Sequence, residues 1–299
     1  MESPDWFLKH SKQLRELVAP ISKINPECAN AYRAHTALKL FCVGYWSSVF
    51  STIMKKQKIP TVYIDLFSGS GMTMVAGTDK QLPGSPFVAD AYGNSFDHVI
   101  CVDSNKEYTD TLIKRLSAVR APDTFNVFYC NNQEVIDEII QIVKDKNAMF
   151  FCFYDPEGFE GFSWKVLEKL GKNVQGDILL TWFEGGLWRN YPQNTEMLNR
   201  VFGDDSWKGT STSNELTTKF CKRLETLREL IKPIEILDES RTVYHQILCV
   251  KKTANGSPFI RAWEDLRTYL ESEGARATSI WLDIAYEKQK QLFDPAFEE

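Results

Sequence analysis

The sequence predicts an α/β chain with a mostly parallel sheet and an N-terminal helical extension, on three observations. After residue 60, short β-branched and aromatic runs alternate with helical patterns of roughly ten to fifteen residues, as βαβ units require. Two of those runs, Thr61–Asp65 and Phe151–Asp155, stop at an acid. The first continues into Ser68-Gly69-Ser70-Gly71. There the chain leaves a buried strand through a loop whose backbone can approach a ligand and reach φ > 0.

Taken in order, Trp6–Val18 reads as a helix, and residues 31–57 as an amphipathic one. Leu38, Phe41, Cys42, Tyr45, Trp46, Val49, Phe50 and Ile53 recur at three-and-four spacing and form one apolar stripe. Lys55, Lys56 and Lys58 suit its C-terminus, and Pro60 closes it. Residues 1–60 are thus the helical extension and 61–299 the α/β domain. Strands are expected at Thr61–Phe67, His98–Val102, Asn126–Cys130, Met149–Tyr154, Asp177–Trp182 and Tyr244–Lys251. Helices are expected at Lys106–Ala118, Gln133–Lys144, Trp164–Leu170 and Glu215–Leu230. Right-handed crossovers then gather the strand C-termini on one edge, where ligands bind. Two insertions interrupt the pattern. Met72–Pro83 is expected as a loop able to fold over a ligand, before a helix capped by Ser85 with Pro86 in its first turn. Glu184–Ser213 is rich in Gly, Trp, Arg, Asn and Tyr, a usual composition for substrate contacts.

A hydrophobic content of 43% marks a globular chain, and a formal net charge of -5 supplies no global basic field. Met1–Pro20 carries no apolar signal core, and no run is read as a membrane span, so the expected location is cytoplasmic. The seven cysteines include no Cys-x-x-Cys pair. Cys101, Cys130, Cys152 and Cys249 fall in apolar runs, as reduced buried thiols do. No His/Cys/Asp cluster has metal-ligand spacing and no Gly-x-Ser-x-Gly elbow occurs. His35 and His245 read as a solvated and a structural histidine.

The glycine loop differs from a nicotinamide-type fingerprint. No glycine occupies position 74, and the next strand-end acid, Asp103, lies beyond the usual spacing. Asp65-Leu66-Phe67-Ser68-Gly69-Ser70-Gly71 is instead the loop expected of S-adenosylmethionine (SAM) methyltransferases. Asp65, Phe67 and the Gly69/Gly71 backbone are candidates for the methionine end. Asp103 can accept both ribose hydroxyls or cap the following helix. Asn131 and Asn132, after the third strand, can cap a helix and meet the adenine edge. Phe151–Asp155 followed by Pro156-Glu157-Gly158-Phe159 is the second motif. An Asp side chain and a carbonyl beside Pro can hold the two hydrogens of an exocyclic amine, so Asp155 and Pro156 are the catalytic candidates. Amine methyltransferases acting on nucleic acids use Asp-Pro-Pro-Tyr in this way. Here Glu157-Gly158 replace the second Pro and Tyr, leaving Phe159 or Phe162 to stack on a base. Trp188 and Arg189 combine a planar ring with a cation, suited equally to a base with its phosphate and to a packed lid. Lys208 and the Lys219–Arg228 helix either extend a basic surface around Arg189 or form an ordinary solvated face.

With these motifs in order, the chain resembles the three-Cys-motif partner protein (TcmP) family over about residues 30–255. The resemblance rests on the His35 helix, Tyr63–Gly71, the delayed Gly84-Ser85-Pro86, Asp103, Asp155-Pro156-Glu157-Gly158, and the late strand followed by Asn255-Gly256. Family members commonly carry Gly-Asp where this chain has Cys130-Asn131. The resemblance implies a Rossmann-like SAM methyltransferase fold and a radical-SAM-like three-Cys partner protein. The expected activity is SAM-dependent N-methylation of an amino group in a nucleic-acid base. The alternative is a methyltransferase-like module whose catalysis has lapsed and which acts with that partner.

Overall fold

The computed structural model describes residues 16, 19–32, 36–75, 81–94, 96–238, 241–252 and 259–272. His35, Asn255-Gly256 and nearly all of the expected Trp6–Val18 helix lie outside them. The elements are β1 (Asn30–Tyr32), α1 (Thr36–Gln57), β2 (Thr61–Asp65), β3 (Met72–Val75), β4 (Gln81–Pro83), α2 (Ser85–Tyr92), β5 (His98–Asp103) and α3 (Lys106–Ser117). There follow β6 (Phe125–Tyr129), α4 (Asn132–Asp145), β7 (Met149–Tyr154), α5 (Trp164–Asn173), β8 (Gly176–Trp182), α6 (Glu184–Asn190), α7 (Thr195–Phe202), α8 (Ser213–Leu224), β9 (Leu230–Asp238) and β10 (Arg241–Val250). A last helix, α9, spans residues 260–272.

Seven strands form one sheet in the order β6-β5-β2-β7-β8-β10-β9. The first five are parallel, and β10 runs antiparallel between β8 and β9. The order reverses at the β2/β7 boundary, so the crevice beyond the C-termini of β2, β5 and β7 is the topological switch point. This is a Rossmann-like α/β architecture, with helices on both faces. One layer of core joins α1, α2 and α9 to the sheet, and the other joins α4, α5, α7 and α8 to its opposite face.

Most expected elements of the α/β region form within a few residues of their expected limits, but the helix expected to run to Leu230 ends at Leu224, and four further findings depart from the sequence reading. First, the N-terminal helix begins at Thr36 rather than 31, because Asn30–Tyr32 is a strand paired in parallel with β3. Second, Met72–Pro83 is not a plain loop: β3 and β4 pair antiparallel and make a small sheet with β1. Third, no strand was expected between 231 and 243, yet β9 runs there as the sheet edge. Pro233 disguises it, since a residue without an N–H is tolerated only on an edge strand. Fourth, α1 is not amphipathic along its first half, where every residue from Ala37 to Gly44 is buried. At 22 residues with a best-window mean hydropathy of 1.3, α1 is long and apolar enough to cross a membrane. Yet 72% of that window is buried inside the protein. Phe41 stacks on Tyr269 and Trp46 meets Trp263 edge-to-face, both from α9.

Candidate functional site

The glycine loop owes its shape to its neighbours. Gly69 and Gly71 lie at φ +57° and +80°, the left-handed region. A Cβ on Gly71 would sit 2.4 Å from the Phe87 ring and 2.7 Å from Leu112. The Gly84 N–H donates to the Gly71 carbonyl at 2.7 Å, which ties the loop to the start of α2. Gly71→Ala is therefore expected to lose about 2–3 kcal/mol, left-handed strain plus crowding. Gly158→Ala shares a positive φ of +76° but meets nothing within 4 Å, and is expected to lose only about 1 kcal/mol. Urea unfolding of both variants checks this, and equal losses would contradict it.

Asp65 ends β2 fully buried. Its carboxylate accepts from the Tyr63 hydroxyl at 3.0 Å and the Phe67 N–H at 3.2 Å. Burial pushes its pKa up to about 7 despite these bonds and a third from the Ser85 hydroxyl, with the Asp155 carboxylate adding to the rise. Ser85 was expected to cap α2. Gly84 holds the cap position instead, and the Ser85 hydroxyl is turned to Asp65.

Asp103, at the end of β5, accepts from Gly69 N–H at 2.9 Å and Asn105 N–H at 2.8 Å, one on each oxygen. It is not the cap of α3. Asn105 is, its side chain receiving the Glu107 and Tyr108 N–H groups. Asp103 clamps the glycine loop while each oxygen keeps a further lone pair for a ligand. Burial raises its pKa against backbone bonds from Asn105, Gly69 and Ser104, and the Glu157 carboxylate adds to the rise. Asn131 is the exposed residue before α4, its amide bonding Glu134 at 3.1 Å. Asn132 is buried, with its amide 3.4 Å from the Gly161 carbonyl.

Asp155 follows β7, the strand beside β2. The loop beyond it is shaped by Tyr154, whose hydroxyl accepts from Ser163 N–H at 2.8 Å and donates to the Gly161 carbonyl at 3.3 Å. Phe67 packs edge-to-face on Tyr154 at 5.2 Å, with Gly161 against its rim. Glu157 and Gly158 are exposed, and Pro156 is buried.

Sequence reasoning missed one residue of this site. Lys39, from the buried half of α1, reaches both Asp155 oxygens at 2.8 and 3.0 Å. Its ammonium lies 4.9 Å from the Phe183 ring centroid and 5.1 Å from that of Tyr244. The available signal was a single cation inside Ala37–Gly44, since a charge there needs a partner.

The substrate candidates divide. Phe159 lies against Gly186 of α6, so the Asp155 loop and α6 are packed together. Trp188 stacks on Tyr191 at 5.0 Å and 9°, the packed-lid arrangement. Arg189 is exposed. The cations expected to extend a basic surface around it are engaged locally. Lys208 pairs with Asp205, Lys219 with Glu215 and Arg223 with Asp204. Arg228 is buried, donating to the Gly171 and Gly176 carbonyls. His245 pairs with Glu184 at 2.8 Å, and Thr217 donates to the same oxygen at 3.0 Å. Burial raises the Glu184 pKa, but bonds from Ser213, His245 and Thr217 outweigh it and hold the group below its usual range. Cys101, Cys152 and Cys249 are buried thiols, and Cys130 is half-buried. Among the described residues, no group of three or more His, Cys, Asp or Glu is placed to hold a metal ion.

No family model matches the chain, and no curated protein matches it. Among solved structures it is similar to the Legionella pneumophila protein LPL1258, at 10% identity and TM-score 0.44, over 76% of this chain and 91% of that one. It is similar to an rRNA methylase from Streptococcus thermophilus at 11% identity and TM-score 0.38, over 71% and 94% of the two chains. It is also similar to Trm1 from Pyrococcus horikoshii, solved with S-adenosyl-L-methionine, at 11% identity and TM-score 0.43, over 75% of this chain and 57% of that one.

Proposed function

We propose that this chain is a SAM-dependent methyltransferase of the TcmP type that methylates an exocyclic amino group of a nucleic-acid base. The observation that supports the reading is the meeting of three motifs at the switch point. These are the glycine loop after β2, Asp103 after β5 and Asp155-Pro156 after β7, with Asp155 near enough to Asp65 to raise its pKa. The site suits the cofactor. Gly69 and Gly71 present bare backbone, Asp103 keeps acceptor capacity for ribose hydroxyls, and Asp65, buried behind the loop, offers the negative field of its ionised carboxylate to the cationic methionine end. Asn132, buried beside the Gly161 carbonyl, is a better candidate for an adenine contact than the exposed Asn131. When bound, SAM supplies an electrophilic methyl on a sulfonium. Asp155 and the carbonyl beside Pro156 hold the acceptor amine with its lone pair aimed at that methyl. Held in that way, the amine would meet the methyl that SAM would supply, and its surplus proton would leave to water. Positioning is the main contribution asked of the protein.

Calorimetric titration with SAM and with S-adenosylhomocysteine is expected to give binding in the micromolar range or tighter for both. Asp103→Ala should weaken each by at least about tenfold, the loss of charge-assisted bonds and of the loop clamp. Labelled methyl transfer to total cellular RNA or DNA should disappear in Asp155→Ala. Folded protein that binds neither compound refutes the reading.

One observation favours a second reading, in which catalysis has lapsed and the chain serves a radical-SAM-like three-Cys partner. Both Asp155 oxygens are already engaged by Lys39. Cofactor binding without transfer to any nucleic acid, together with co-purification with that partner, would select it.

A further inference from the structure

The Lys39–Asp155 pair has a consequence for what the site accepts. Lys39 is only 7% exposed, and its ammonium is enclosed by the Asp155 carboxylate and the rings of Phe183 and Tyr244. Those rings meet each other edge-to-face at 6.1 Å. The helix is pinned at the same point, because the Lys39 backbone N–H bonds the Tyr244 phenol oxygen. The cation is therefore built into the crevice.

We infer that Lys39 is a positioning residue for Asp155: it fixes the carboxylate and cancels its charge, so that the site admits a neutral amine rather than an ammonium. This rests on the proposed role of Asp155 at the acceptor amine. A lone carboxylate at that place would attract a protonated alkylamine, whose nitrogen has no lone pair to attack with. Paired with Lys39, it still offers an oxygen lone pair to an N–H, because a carboxylate has about four acceptor sites and Lys39 uses one on each oxygen. A base amine, neutral at physiological pH, fits that description. A lysine side chain does not.

The test needs no turnover, because SAM and S-adenosylhomocysteine differ by the sulfonium methyl and its charge. In the native protein the compensated pair faces both. Lys39→Met uncovers the Asp155 charge and should shift the ratio of the two dissociation constants toward SAM by on the order of tenfold. Asp155→Asn leaves the Lys39 charge uncovered and should shift the ratio toward S-adenosylhomocysteine, so the test does not hinge on one variant folding. The double variant and Lys39→Arg should both return the ratio to near the native value. A general loss of packing would weaken both ligands alike and leave the ratio unmoved. Binding of both ligands with an unchanged ratio in Lys39→Met and Asp155→Asn overturns the inference and spares the methyltransferase reading. Absence of binding in the native protein overturns both.

Discussion

Arg115→Met is expected to lower stability by about 4 kcal/mol and to release the N-terminal segment from the glycine loop. The Arg115 guanidinium is fully buried. It donates to the Ile24 carbonyl at 2.8 Å, Asn25 at 3.0 Å, Cys28 at 3.1 Å and Ser70 at 2.8 Å, and to the Ser70 hydroxyl at 3.0 Å. Ser70 in turn donates to the Cys28 carbonyl at 2.6 Å. Methionine fills much of the same space but leaves those carbonyls without their donor, at about 1–3 kcal/mol for each that stays dry. Relief of the buried charge offsets part of the sum. Arg115→Lys keeps the charge and loses the fork, so it should fall between the two. Urea unfolding measures the loss, and amide exchange at residues 24–28 and 68–72 should quicken selectively. A Met variant within about 1 kcal/mol of native protein would mean that the segment is held by something else.

Asp65→Asn is expected to stabilise the free protein at pH 8, by up to about 4 kcal/mol, while weakening SAM binding. The pKa of Asp65 is raised by burial from 3.8 to about 7. Between those values the native state holds a proton that the unfolded chain has released, so stability contributed by this group is full below about pH 4 and is lost as pH rises to about 7. At about 1.4 kcal/mol per unit, that shift amounts to on the order of 4 kcal/mol. Asparagine carries no charge to desolvate; its one carbonyl oxygen can keep the Phe67 N–H, while its NH2 takes the place of the other oxygen and donates to the Tyr63 hydroxyl. The gain should vanish at pH 4. Asp177, also raised to about 7 by burial, keeps its own pH dependence in the variant and serves as an internal control. In the native protein SAM affinity should rise between pH 6 and 8, because a cationic ligand favours the ionised Asp65; the Asn variant should lack that rise. Equal stability differences at pH 4 and pH 8 would refute the account.

Both predictions concern residues whose importance differs in legibility. Asp65 is visible in the chain itself, because an acid ending an apolar strand just before two glycines is a local pattern. The same holds for Asp103, for Asp155-Pro156, and for the alternation of strands and helices that predicts the parallel sheet. Each depends on neighbours within about ten residues and on the period of apolar side chains. Arg115 is not visible. On the sequence it is one more cation in the last turn of a helix, and only the fold brings residues 24–28 and Ser70 around it.

The sequence by itself determined the alternation of the main strands and helices and the acids at the strand ends, since these follow from local periodicity, and the handedness of crossovers gathers those ends on one edge. Tertiary structure alone decided the partners of those acids. Asp103 clamps Gly69 instead of capping α3, because Asn105 is better placed for the cap. Ser85 serves Asp65 instead of its own helix, because a buried carboxylate is the stronger acceptor. Lys39 reaches Asp155 across 116 positions of sequence, and β9 finds its place only as an edge that tolerates Pro233. Burial sets the cost of an unpaired charge, and which groups meet in the interior is a property of the folded chain and not of its local pattern.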